Sequence, residues 1–211
     1  MSKKICIVGA GDAGKSIYRL MQHGGSGDQV AAFLESEEYY RPRKVYGLEV
    51  RPLSSFAPDL HQALIALGSP RDRYELSQRL PAETEYATYI HPENQLLAPE
   101  ELHIGAGSVI FPYCILTRNL RLGKHSLLMG HSVLGHDSRF GDFFTAAARL
   151  NTGGHCAVGH QVYCGMSVSI RDRVTICDQV TVGMGAVVVG DIHEKGVYLG
   201  HPAQKYAEPG S

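Results

Sequence analysis

A sixfold repeat of apolar residues runs through the second half of the chain without a shift of register. All of the repeated positions are apolar except Thr152. A period of six fits neither the turn of a helix nor the alternation of a strand, but it fits a coil with three flat faces. The repeated positions are Ile104, Ile110, Leu116, Leu122, Leu128, Leu134, Phe140, Ala146, Thr152, Val158, Cys164, Ile170, Ile176, Val182 and Val188. The spacing predicts a parallel β-helix from about residue 102 to residue 190.

Two further sets of positions support the same coil. Two residues before most apolar positions lies a small residue, such as Ser126, Cys156 or Ala186, which suits the narrow interior of a triangular prism. Glycine often follows the apolar position, as at Gly105, Gly123, Gly135, Gly141, Gly153, Gly159, Gly165 and Gly183. Because a corner needs a backbone that accepts positive φ, we expect these glycines to adopt that conformation. Three sixes complete one coil, so residues eighteen apart should stack.

The composition restricts the possible partners. The chain has 211 residues, of which 44% are hydrophobic, and a formal net charge of -1. This balance offers no basic surface for nucleic acid. The first apolar run, residues 5–8, is too short to span a membrane or to form a secretory signal. We therefore expect a cytoplasmic protein that binds neither nucleic acid nor membrane.

The first ninety residues follow a different pattern, in which apolar runs alternate with segments of helical periodicity. The pattern predicts strands over residues 4–9, 30–35, 63–67 and 85–90, and helices over residues 16–23 and 71–80. Such alternation is typical of a small α/β sheet. We predict a Rossmann-like domain over residues 1–90, a hinge at His91-Pro92, and a β-helix domain with a C-terminal extension over residues 91–211.

A glycine-rich turn in this first region suggests a ligand. The segment VGAGDAGKS places Gly9, Gly11 and Gly14 at G-x-G-x-x-G spacing between a strand and a helix, which brings backbone N–H groups toward a phosphate. Glu35, at the end of the second strand, would reach a ribose or a base. A dinucleotide needs about twice this length of chain, so a single nucleotide or a nucleotide-linked sugar is favoured over NAD. The alternative is a turn that only packs the helix against the sheet.

The segment around His136 is the longest departure from good repeats. His136 follows the corner at Gly135 and precedes Asp137, so its ring should stand on the outside of the coil beside a carboxylate. A histidine next to a carboxylate is suited to act as a general base at neutral pH. A solvated histidine at a corner is the alternative. Counting eighteen residues onward places Gly154 over the imidazole, where the missing side chain would leave a gap.

These features together resemble a known family. The repeats, the preceding α/β region, the segment GHDSRFGDF and the ending EKGVYLGHPAQKY are similar to those of left-handed β-helix acetyltransferases that modify nucleotide-linked amino sugars. Examples are the bacillosamine and perosamine N-acetyltransferases and the related sialic acid O-acetyltransferase-like proteins. The resemblance covers nearly the whole chain, and it implies the left hand of the coil.

The resemblance also implies an activity. His136 matches the catalytic base of the family, Asp137 matches the acidic residue that follows it, and Gly154 matches a glycine whose backbone N–H faces the thioester. Acetyl-CoA would donate its acetyl group to the amine of a nucleotide-linked 4-amino-4,6-dideoxy sugar, and no metal is expected. Such solenoids form homotrimers that bind CoA between neighbouring coils, so further CoA contacts are expected from Met166, Gly200, Pro202 and Lys205.

The chain departs from the family pattern at the acceptor site. Asp12-Ala13 stands where the family commonly has Gly-His, and Glu35-Ser36 stands where two acidic residues end the second strand. The sugar and the nucleotide base therefore stay open, and so does N- versus O-acetylation. A non-catalytic trimer that binds nucleotide sugars is a further alternative. Nearby, Ser69, Arg71 and Arg73 would either meet a diphosphate or lie on the surface of a helix N-terminus.

A metal site is an alternative interpretation, because histidines recur five residues apart, at His131 and His136 and again at His155 and His160. This spacing resembles the zinc site of γ-class carbonic anhydrases, which are built on the same solenoid. That site needs a third histidine about two coils upstream, and Asn119 stands there instead. Because catalytic Zn²⁺ needs three protein ligands, the spacing favours an ordinary surface role for these rings.

Overall fold

The structure is a computed structural model that describes residues 3–207. Its N-terminal unit is one five-stranded sheet with a helix on each side. The elements are β1 (Lys4–Val8), α1 (Asp12–His23), β2 (Val30–Glu35), β3 (Arg43–Val45), β4 (Leu48–Pro52), β5 (His61–Ile65) and α2 (Pro70–Ser77), with short 3-10 turns at Gly27–Gln29 and Leu53–Ser55. The strand order is β3-β4-β2-β1-β5, and all neighbours are parallel except β3 and β4.

Burial explains where the two helices lie. Helix α1 buries Ile17 and Met21 against one side of the sheet, and α2 buries Leu76 against the other. Helix α1 begins four residues earlier than the sequence predicts, and α2 begins one residue earlier, at Pro70. Ser69 caps α2, because its Oγ accepts a hydrogen bond from the backbone N–H of Asp72 at 3.2 Å. The hairpin of β3 and β4 was not predicted.

The second part of the chain is a three-sided parallel solenoid. The first face contains Tyr89–Ile90, Val109–Ile110, Leu127–Leu128, Thr145–Ala146, Tyr163–Cys164, Val180–Val182, Gly196–Leu199 and Gln204–Lys205. The second contains Gln95–Leu96, Ile115–Leu116, Val133–Leu134, Asn151–Thr152, Ser169–Ile170 and Val187–Val188. The third contains Leu102–Ile104, Leu120–Leu122, Arg139–Phe140, Ala157–Val158 and Thr175–Ile176, and a 3-10 turn at Pro99–Glu101 precedes it.

The strand register confirms the predicted solenoid. Leu116 pairs with Leu134 and Leu122 pairs with Phe140, eighteen residues apart in each case. The first coil is longer, because Ile90 pairs with Ile110. Two extra residues before the third face break the sixfold count, so the solenoid begins at Tyr89 and not near residue 102. The division into domains at residues 90 and 91 stays a prediction.

Both sets of inward positions are filled as the sequence predicts. The apolar column and the small residues two positions before it form one continuous buried core along the solenoid. Buried serines are satisfied locally. Ser126 Oγ donates to the carbonyl of Gly123 at 2.9 Å, and Ser132 Oγ donates to that of Met129 at 2.8 Å. Small hydroxyls therefore fit the narrow interior without leaving unpaired polar atoms.

The predicted role of the corner glycines is wrong. Positive φ occurs two residues later, at Tyr113, Asn119, His125, His131, Asp137, Phe143, Arg149, His155, Gln161, Ser167, Arg173 and Gln179. The glycines are required by close approach instead. A Cβ on Gly123 would lie 2.5 Å from the backbone nitrogen of Asp142 in the next coil. The turns are so tightly stacked that no side chain fits at these positions.

The N-terminal unit packs against the first face of the solenoid. Val109 and Leu127 point outward from that face and join the buried core under α1. Arg73 of α2 reaches the backbone of the solenoid and is only 1% exposed. Within residues 3–207, no helix has both the length and the apolarity needed to cross a membrane.

Candidate functional site

His136 stands at a corner of the prism that the N-terminal unit leaves free. We call the turns between the second and third faces the open corner; they comprise residues 117–119, 135–137, 153–155 and 171–173. The Nδ1 atom of His136 lies 2.7 Å from Oδ2 of Asp137, and 46% of the His136 side chain is exposed. In the neutral ring the proton therefore resides on Nδ1, where the carboxylate accepts it, and Nε2 keeps its lone pair. Nε2 is the basic atom.

Asp137 is held from two further sides. The Nδ2 atom of Asn119, one coil below, donates to Oδ1 at 2.7 Å. The Arg118 guanidinium lies 3.1 Å from Oδ2 and 3.2 Å from Oδ1. The hydrogen bonds from Asn119 and His136, aided by the charge of Arg118, lower the pKa of Asp137 to about 2. The carboxylate is therefore an anion at neutral pH and orients the imidazole.

Gly154 covers His136 from the next coil, as the eighteen-residue count predicts. A Cβ on Gly154 would lie 2.7 Å from Cε1 of the imidazole and 2.8 Å from Nε2. Only glycine leaves room above the basic nitrogen. Within residues 3–207 the backbone N–H of Gly154 makes no hydrogen bond, so a free donor adjoins the gap.

Two of the other expected CoA contacts, Met166 and Gly200, lie on a different edge of the prism. Met166 is 52% exposed at the turn between the first and second faces. Gly200 reaches the same edge two coils higher, where its carbonyl accepts the Val187 N–H at 3.0 Å. Lys205 pairs with Glu194 at 2.6 Å and borders an open cavity together with Pro202. Within one chain these residues do not meet Gly154.

The glycine-rich turn of the N-terminal unit borders a cavity of about 510 Å³. Gly9, Gly11, Glu35 and Ser36 all contribute to its wall. Gly9 has a φ of 115°, a conformation that favours glycine. The turn, the N-terminus of α1 and the end of β2 thus enclose one space, as the motif predicts.

Two of the predicted ligand contacts have other partners in the structure. Gly14 does not border the cavity, because it lies inside the first turn of α1, where a Cβ would collide with the carbonyl of Gly9. Its role is close packing of helix against turn. The carboxylate of Glu35 is bound by Arg43, whose guanidinium donates to both oxygens at 2.7 Å. A ligand would have to compete with this bidentate pair.

The expectation for the residues at the start of α2 is also wrong for Arg73. Arg71 is exposed and pairs with Glu75 at 2.7 Å. Arg73 is buried and neither meets a diphosphate nor lies on the surface. It donates hydrogen bonds to the carbonyls of Leu67, Gly68, His125, Phe143 and Phe144 and to Oγ1 of Thr145, at 2.8 to 3.1 Å. A side chain predicted at a ligand site instead joins the two parts of the molecule.

Comparison with known proteins identifies the fold. No family model matches the chain. It is 26% identical over 177 residues to the GDP-perosamine N-acetyltransferase of Escherichia coli O157:H7, which covers 80% of this chain and 78% of that protein. The perosamine N-acetyltransferase of Caulobacter crescentus, solved with CoA and GDP-perosamine, superposes with a TM-score of 0.87 at 21% identity and covers 99% of both chains. The acetyltransferase domain of PglB from Neisseria gonorrhoeae superposes with a TM-score of 0.86 at 23% identity and covers 97% of this chain and 100% of that one.

The resemblance to the left-handed β-helix acetyltransferases is confirmed. The class of enzyme that the sequence predicts, an acyltransferase, is confirmed with it.

Three residues of this acetyltransferase fold at the open corner were missed as site residues. Arg118 and Asn119 hold Asp137 from below, and His155 lies above it, with Nε2 3.9 Å from Oδ2. Counting eighteen residues either way from Asp137 leads to Asn119 and His155.

The histidine pairs of the metal alternative do not converge. His131 stacks on Tyr113 with ring centroids 5.1 Å apart, and Nδ1 of His160 accepts the Asp142 N–H at 3.0 Å. His136, Asp137 and His155 place one possible ligand atom each within 4.8 Å of one another. Arg118 already binds both oxygens of that carboxylate. At this corner a histidine is hydrogen-bonded to a carboxylate, and the histidines that lie five residues apart do not form a common site.

Proposed function

We propose that the protein transfers an acetyl group from acetyl-CoA to the amino group of a nucleotide-linked 4-amino-4,6-dideoxy sugar. The observation that carries the proposal is the geometry of His136. Its Nδ1 is held by an anionic carboxylate, and its Nε2 faces a gap that exists because residue 154 is glycine. An amine and a thioester need such a basic nitrogen beside an open space.

The reaction requires one proton acceptor and no covalent enzyme intermediate. The sugar amine attacks the thioester carbonyl carbon, forming the C–N bond, and His136 Nε2 takes the proton from nitrogen. Collapse of the tetrahedral intermediate breaks the C–S bond, and the imidazolium returns the proton to the departing CoA thiolate. Asp137 stabilises the imidazolium in between, and we assign stabilisation of the oxyanion to the free N–H of Gly154.

The cavity of the N-terminal unit is the proposed site for the nucleotide part of the acceptor. The similar proteins of Escherichia coli and Caulobacter crescentus are named for GDP-perosamine, a nucleotide-linked amino sugar. The backbone of Gly9 and Gly11 beside the N-terminus of α1 suits a diphosphate. Ser36 offers a hydroxyl, whereas Glu35 is held by Arg43. An assay with a panel of acceptors identifies the nucleotide base and the sugar.

We further propose that the complete site forms between protomers of a homotrimer. The N-terminal unit packs on the first face and on the adjoining turns at His125 and Phe143. The open corner is the edge opposite the first face in a three-sided prism. One chain therefore carries its cavity and its base on opposite sides. A neighbouring protomer would bring its Met166 and Gly200 edge to the open corner and complete a CoA groove.

Release of the CoA thiol, measured with acetyl-CoA and a panel of GDP-, UDP- and dTDP-linked 4-amino sugars, tests the proposal. Substitution of His136→Ala should lower kcat/KM by about 10² to 10⁴-fold, the usual contribution of a general base. His103→Ala is the matched control, because His103 is exposed on the third face and away from the open corner.

Full activity of the His136→Ala protein would contradict the assignment of the base. Turnover restricted to sugars that carry a hydroxyl in place of the amine would make the protein an O-acetyltransferase. Binding of a nucleotide sugar without any binding of CoA would leave a non-catalytic module.

A further inference from the structure

His155 extends the carboxylate pair of the open corner into a cluster of two imidazoles on one anion. It lies one coil above Asp137, and both residues have positive φ, 61° and 57°. Its Nε2 approaches the same oxygen, Oδ2, that His136 uses, at 3.9 Å against 2.7 Å. The two imidazole rings meet edge to face, with centroids 5.2 Å apart and planes at 85°.

This contact has two physical consequences. The ring of His155 packs edge to face against the ring of His136 and limits the directions in which that ring can turn. A proton on His155 places a positive charge beside His136 and draws on the same carboxylate, which disfavours a proton on His136. The other charged groups of the corner are Arg118, bound to Asp137, and Arg171, Asp172 and Arg173 in the coil above, where Asp172 and Arg173 lie 3.7 Å apart.

We propose that His155 is a positioning residue of the transferase, which confines the ring of His136 and competes with it for the carboxylate of Asp137. The proposal rests on the proposed function, since it names the residue that tunes the base of that reaction. His155 does not take the substrate proton. It acts through Asp137 and His136.

The two consequences can be separated by two substitutions. His155→Phe keeps an aromatic wall and removes the charge, and Phe143 shows that the equivalent turn accepts phenylalanine at a φ of 59°. His155→Ala removes both wall and charge. His103→Phe, at an exposed position of the third face, controls for the loss of a histidine. Each protein is assayed in EDTA, so that metal bound by the two imidazoles does not alter the profile.

In the pH profile of kcat/KM we expect the acidic limb of His155→Phe to move upward by about half a pH unit or more, because a competing positive charge is lost. Its kcat on the high-pH plateau should stay within about twofold of the parent value. His155→Ala should show the same movement of the limb and a plateau lowered by about three- to tenfold, because the ring of His136 is less confined. The proposal would be overturned if the acidic limb of the kcat/KM profile lay at the same pH in His155→Phe as in the parent protein.

A second measurement does not depend on activity. Proton NMR titration of the His136 ring, assigned by comparison with His136→Asn, reports its protonation directly in the parent and in His155→Phe. A higher titration midpoint in the variant supports the coupling, and an unchanged midpoint contradicts it. Full activity of His136→Asn would refute the proposed function, whereas the NMR result would still decide on the coupling.

Discussion

Two corners of the same prism each carry a histidine, and the two rings differ in burial and in the groups that they face. The covered corner comprises the turns between the third and first faces, at residues 123–125, 141–143, 159–161 and 177–179, and includes His125. His125 has a φ of 55° and is 4% exposed beneath the N-terminal unit. Burial, reinforced by the charge of Arg73, lowers its pKa to about 4. At the open corner, His136 is exposed and faces a carboxylate.

The comparison shows that the solenoid supplies positions rather than chemistry. His125 stacks on Phe143 with centroids 4.8 Å apart, and its Nδ1 is buried without a hydrogen-bond partner among residues 3–207. A ring that is buried in this way has no access to a substrate. Asp137, Arg118 and free access to solvent make the difference at the open corner. The proposed base therefore lies at a corner that the N-terminal unit leaves free.

The largest expected effect on stability concerns Arg73, which joins the N-terminal unit to the covered corner. Arg73→Met should lower the free energy of unfolding by about 3 to 5 kcal/mol, because the carbonyls of His125 and Phe143 lose their donor while staying buried. Urea unfolding at pH 7 measures it. Arg71→Met, two residues earlier on the exposed side of α2, should change little. A similarly small effect at both positions would show that Arg73 does not hold the two units together.

The second prediction concerns acid sensitivity at the covered corner. Because the folded protein holds the pKa of His125 at about 4, the unfolded chain takes up its proton first as the pH falls. The contribution of the neutral His125 to the free energy of unfolding is fully present above pH 6.5, and about 3 kcal/mol of it is lost by pH 4. His125→Phe removes this loss, and Phe143 again shows that phenylalanine is accepted at positive φ. The free energy of unfolding should therefore fall less between pH 7 and pH 4 in His125→Phe than in the parent.

The control for this measurement is His131→Phe at the remaining corner, where the ring is exposed and stacks on Tyr113. It accounts for the loss of a histidine as such. Parallel pH dependence of the parent and His125→Phe would mean that another group causes the acid sensitivity.

The third prediction compares the same substitution at the two corners. Gly154→Ala places a methyl group against the ring of His136, which can swing away, so we expect kcat/KM to fall by about 10- to 100-fold with little change in stability. Gly123→Ala places the methyl group against the backbone of Asp142, which cannot move. Its thermal midpoint should fall while the kcat/KM of the folded fraction is preserved. The reverse result would contradict the roles assigned to the two corners.

The sequence period was sufficient to predict the solenoid and the exposed corner position of His136. It also contained Asn119 and His155, because both follow from the stacking that led to Gly154. The role of Arg73 could not be found in this way. Its partners in the solenoid lie more than fifty residues away in sequence, and they depend on how the two units pack together. The hairpin of β3 and β4 was missed because its turn, Tyr46-Gly47, has positive φ at a tyrosine rather than at the usual asparagine or aspartate.

The smallest effect should come from Asn119. Its substitution weakens the support of the Asp137 carboxylate without removing the carboxylate itself. Asn119→Ala removes one hydrogen bond to Oδ1 of Asp137 but leaves the contacts of Arg118 and His136 in place. We expect kcat to fall by about two- to fivefold with KM unchanged, because the anion is still present but less firmly oriented. Steady-state kinetics with both substrates measure it. An effect as large as that of His136→Ala would instead place Asn119 in contact with the reacting groups.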